Sequence, residues 1–170
     1  MIENMNSNND RLSLEEQEND AWGAAPADAT PLVRRVYWLR TRPVDSYQPE
    51  DLRVLLSQQV GVRVLMPRVL TYLRQEPLLE GDFYPGDILV AVLRMAPEYW
   101  RDNPTQRTAL EEIVAAVDNE SLAAEIEAFR KANPAPEQAG HFHVGPVEST
   151  QPSAGLPSSK QPFSNKGHTH

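Results

Sequence analysis

Glu80-Gly81-Asp82-Phe83-Tyr84-Pro85-Gly86-Asp87 separates two helical patterns, one ending at Leu78-Leu79 and the next beginning at Ile88-Leu89. Two glycines and a proline in so short a span specify a tight turn. Glycine reaches positive φ without steric cost, and proline fixes its own φ. Phe83 and Tyr84 are too apolar for an idle loop and are expected to tuck back onto the flanking helices. Reading this stretch as a hinge between helices places the rest of the chain in one fold class.

On the N-terminal side, Val62, Leu65, Met66, Val69 and Leu73 form an amphipathic helical stripe. Pro67 interrupts it and is expected to kink the helix or delay its start by a turn, while Pro77 ends it. Leu52, Leu55, Leu56 and Val60 mark the preceding helix, opened by Ser46 to Pro49 and broken by Gly61. Glu50 and Asp51 suit its first turn, where carboxylates meet the positive end of the helix dipole. Thr30-Pro31 is an N-cap followed by proline at the first helical position, and the helix it starts stops before Pro43. On the other side, Asp87 is read as the N-cap of a helix bearing Ile88, Leu89, Val92 and Leu93. Ala96-Pro97-Glu98 opens a short helix that carries Tyr99 and Trp100. Leu110, Ile113, Val114 and Val117 define another, and Leu122, Ile126 and Phe129 a last one.

No segment sustains a period of two, and no fixed-period repeat is present. The prediction is an all-α domain, a compact bundle of about six or seven short helices over residues 29–132. An acidic, mostly flexible arm, residues 1–28, precedes it. Within that arm Ser13-Leu-Glu-Glu16 has capping-box spacing, and Trp22 is a candidate staple onto the domain. Residues 133–170 form a Pro/Ser-rich tail too poor in aliphatic side chains to offset its ordering entropy, and disorder is expected there.

The chain has 170 residues, 16 basic and 24 acidic, for a formal charge of −8. Most of that charge lies in the arm, where seven acids up to Ala29 face one base. An acidic balance argues against nucleic acid or an anionic membrane as the main partner and suits a basic protein surface. The absence of cysteine excludes thiol chemistry and disulfides and fits a cytoplasmic location. No secretory signal and no bilayer-spanning apolar run is present.

Glu80, Asp82, Asp87, Glu98 and Asp102 cluster around the hinge. Two carboxylates can act as an acid–base pair or hold a metal. Helix-start and turn roles account for the same residues, and no nucleophile with a base, phosphate-cradling glycine loop or histidine accompanies them. All four histidines, His141, His143, His168 and His170, lie in the tail; their His-x-His spacing alone is a weak metal signal. Arg34, Arg35, Arg40 and Arg42 form a small basic face that reads as salt-bridged surface. Tyr84 and Tyr99 beside carboxylates suit an interface hot spot, whereas Phe83 and Trp100 are expected in the core.

Leu52-Arg53, Leu55-Leu56-Ser57-Gln58-Gln59-Val60-Gly61, the Glu80–Asp87 stretch, Ala91-Val92-Leu93 and Trp100 together resemble the immunity proteins of bacterial contact-dependent growth inhibition systems. The similar region runs from about Leu12 to Ile113. The resemblance implies a small helical cytoplasmic protein that binds the toxic C-terminal domain of a delivered effector and blocks it. Such toxins are commonly nucleases or membrane-active domains, and the family carries no catalytic residues or cofactor. The long tail after Asn133 departs from its compact pattern. Glu80, Asp82, Tyr84, Asp87, Glu98 and Tyr99 are the expected toxin contacts. A helical adaptor without a toxin partner, docking through its arm and tail, is the alternative; a metal-dependent hydrolase using Asp82 and Asp87 is a third class.

Overall fold

The computed structural model describes residues 9–135. They form eight α-helices: α1 (Leu14–Glu18), α2 (Pro31–Arg40), α3 (Pro49–Ser57), α4 (Val62–Gln75), α5 (Asp87–Leu93), α6 (Pro97–Asp102), α7 (Pro104–Ala115) and α8 (Ala123–Ala132). Among the described residues no strand occurs, and one isolated antiparallel bridge joins Ser13 to Pro43. The all-α prediction holds. The expected count of six or seven helices falls one short of eight because α1 is folded.

The bundle is built around α5. Every residue from Asp87 to Leu93 is buried, as an apolar sequence on all sides of a helix requires. It lies against α3 and α8, while α4 packs on α7. The stripe on α4 buries Leu65, Met66, Val69 and Leu73, each 0% exposed. α4 runs through Pro67 from Val62 to Gln75, so the delayed start does not occur. Pro67 sits on an exposed side of the helix, where solvent can satisfy the Arg63 carbonyl that the missing N–H leaves unbonded. Trp100 is 1% exposed and meets Phe129 edge-on, with centroids 5.8 Å apart.

Residues 9–28, expected to be mostly flexible, are packed in part. The Ser13 N–H donates to Glu16 Oε2 at 2.7 Å, and the Glu16 N–H donates to Ser13 Oγ at 3.3 Å, completing the capping box. Leu14, 0% exposed, is the staple. A Cβ at Gly61 would stand 2.6 Å from Leu14 Cδ1, so the turn between α3 and α4 must be glycine to admit it. Trp22 stays 38% exposed and lies over the Arg40 guanidinium at 4.0 Å. Arg40 is itself buried and donates to Glu18 Oε2 at 2.6 Å and to the Asp20 carbonyl at 2.6 Å. At the other end, Asn133 is buried and its carbonyl accepts from Arg107. The predicted tail lies, from Pro136 onward, outside the described residues.

Candidate functional site

The 80–87 stretch is held from beneath by two carboxylates. Asp87, 3% exposed, accepts from the Gly81 N–H at 2.7 Å through Oδ1 and from the Phe83 N–H at 3.2 Å through Oδ2. Glu50, on the first turn of α3, accepts from the Asp82 N–H at 3.1 Å. Three consecutive backbone donors thus converge on two buried acids. Arg53, one helical turn on from Glu50, closes the arrangement with a fork of two 2.6 Å hydrogen bonds to both Glu50 oxygens. Arg53 also stands 3.8 Å from Asp87 Oδ2, and Arg35 stands 3.8 Å from Glu50 Oε1. The Arg53 fork, above all, holds the Glu50 carboxyl below the ordinary glutamate value.

The glycines are where this geometry demands them. A Cβ on Gly81 would lie 2.6 Å from Glu50 Oε2 and 3.0 Å from Asp87 Oδ2. Gly86 has φ +90° and caps α5, the role expected for Asp87. Asp87 instead begins the helix, and its side chain turns back to the loop.

Phe83 is 66% exposed and Tyr84 45%. Phe83 was expected in the core; it lies outside, stacked on Arg53 with the guanidinium carbon 4.4 Å from the ring centroid. The reason is that the three tethered N–H groups fix the loop backbone, and α5 beneath it already fills the core. Behind the two aromatics is a cavity of 220 Å³ with Leu56, Val90, Ala91 and Met95 in its wall. Arg53 and Arg94 also border it.

The six expected contact residues are therefore not one surface. Glu80, Asp82 and Tyr84 are exposed on the loop. Asp87 faces inward, 3% exposed, with its oxygens accepting from backbone donors. Glu98 is exposed and pairs with Arg101 at 3.6 Å. Tyr99 is half-buried and hydrogen-bonded to Gln106. Among the described residues, no hydrogen bond or ion pair joins these last two to the loop. Sequence reasoning missed Glu50, Arg53 and Arg94. The Glu50/Arg53 spacing of three is a signal for an ion pair, but it does not reveal that the pair lies under the hinge.

Among the described residues no cluster of three or more His, Asp or Glu side chains could hold a metal ion. No helix there is long and apolar enough to cross a membrane. Fold and site together define an all-helical domain that presents aromatic side chains on a rigidly tethered loop. A family model described as CDI immunity proteins matches residues 16–110, more than half the chain, and the protein belongs to that family of contact-dependent growth inhibition immunity proteins. Neither the curated proteins nor the solved structures yield a match.

Proposed function

We propose that the chain acts as a stoichiometric, non-catalytic antidote: it binds the toxic domain of its cognate effector in the cytoplasm, with the 80–85 loop as contact surface. The observation that carries this reading is the exposure of Phe83 and Tyr84 on a backbone fixed by Glu50 and Asp87. Large aromatics are costly to leave in water, and binding hot spots are enriched in them. A loop already held in shape loses little conformational entropy on association. Glu80 and Asp82 supply charge beside the aromatic pair and steer the encounter.

The test is co-expression with the toxin domain encoded beside this protein. The wild type protects the cells and co-purifies with the toxin in a fixed ratio. Phe83→Ala with Tyr84→Ala lowers affinity by about 100-fold, or about 1.4 kcal/mol for each truncation, with the melting temperature kept. Cell death despite abundant soluble protein and no complex overturns the reading. Full affinity in the double variant removes the loop from the interface.

A further inference from the structure

The cavity behind Phe83 and Tyr84 differs in chemistry from the acidic edge beside it. Leu56 is 0%, Val90 3%, Ala91 6% and Met95 5% exposed, so its floor is apolar. Its 220 Å³ lies below the roughly 300–1,000 Å³ of small-molecule sites and suits one large side chain from a protein partner. Glu80 and Asp82 do not line it; two guanidinium groups do, together with Ser57, Gln59 and Asp87, and the Asp87 oxygens are already occupied by the Gly81 and Phe83 N–H groups. Arg53 is committed to Glu50, whose side chain is 9% exposed. Arg94 is different. Its side chain is 66% exposed and its partner, Glu125 on α8, 29%. Arg94 Nε donates to Glu125 Oε2 at 3.1 Å, and a second nitrogen reaches Oε1. Because the Arg94 side chain stands largely in solvent, a second carboxylate can replace Glu125 on it in the same two-point geometry.

Resting on the proposed toxin-binding function, the geometry points to a partner segment with an apolar side chain next to a carboxylate. The apolar group fills the cavity between Tyr84 and Met95. The carboxylate takes Arg94 from Glu125, and a bidentate guanidinium–carboxylate contact fixes its orientation. Glu125 thus acts as an internal stand-in for the partner's acid and competes with it. The recognition element in the groove is then cationic and apolar, although the chain as a whole is acidic. That combination rejects a partner offering a basic group at this place, because Arg94 repels it.

The opposite effects of the two halves of the ion pair make the inference testable. Affinity for the adjacent-gene toxin domain is measured by titration calorimetry with the full chain, for the wild type, Arg94→Gln and Glu125→Gln. Arg94→Gln is expected to weaken binding about tenfold, as for an interface residue of moderate weight. Glu125→Gln frees Arg94 and is expected to strengthen binding about threefold, the scale of an exposed ion pair. A pair that only ties α5 to α8 moves both variants in the same direction, and that result overturns the inference. So does wild-type affinity in both. A wild type that does not bind the toxin at all instead sinks the underlying function. Concentration-dependent self-association abolished by Arg94→Gln assigns the groove to a second copy of this chain, which also overturns the inference.

Discussion

Glu50 and Asp87 look alike in sequence, as acids at the starts of helices, yet both are buried ligands for backbone N–H groups. Removing charge from such a site leaves its donors imperfectly matched, which costs about 2 kcal/mol. Glu50→Gln keeps one acceptor but loses the fork with Arg53, so urea unfolding at neutral pH should show a loss of that size. The pH dependence has a definite sign. The Glu50 carboxyl is held below 4.5 in the folded state, so its contribution is fully present above that value. It is lost as pH falls through the depressed folded value, because the unfolded chain then binds more protons. The stability of Glu50→Gln should therefore fall less steeply than the wild type's below about pH 4.5. Parallel acid limbs in the two proteins contradict the role given to Glu50. The same geometry requires glycine at position 81: no side chain fits between the Glu50 and Asp87 carboxylates.

Among the elements, α1 and α5 carry the most information about how the fold closes. α5 is short for an isolated helix and persists because its whole surface is buried by its neighbours. α1, only five residues long, depends on its capping box and on Leu14. Leu14→Ala empties the space against Gly61 and should cost about 2–4 kcal/mol, seen as a shifted urea midpoint with an unchanged slope. A loss below about 0.5 kcal/mol means the segment is not part of the cooperative unit. The packed position of α1 moves the folded domain's N-terminal limit from residue 29 back into the segment read as an arm. Composition gave no warning, since seven acids mask one well-placed leucine and the arginine that Glu18 neutralises.

At the scale of the molecule, the surface offers a second aromatic group that tests where the interface lies. Trp38 is 55% exposed on α2, with the Arg42 guanidinium 5.1 Å from its ring. With the loop as contact surface, Trp38→Ala should leave toxin affinity unchanged and stability within about 0.5 kcal/mol. A drop in affinity with normal stability shifts the interface to α2. The helical class, most helix starts and the core stripe of α4 were legible in the sequence, because proline, caps and a 3.6-residue period act locally. The family was legible too, in the hinge motif and the leucine-rich helices around it. What needed the tertiary structure was which side each loop residue faces. Phe83 lies outside and Asp87 inside because Glu50, more than thirty residues earlier, and Arg53 meet beneath the loop. Likewise Arg94 and Glu125 become partners only through the contact of α5 with α8. A local pattern can state that a turn must occur; the partners that fix its faces come from distant parts of the chain, so burial and pairing are decided by packing.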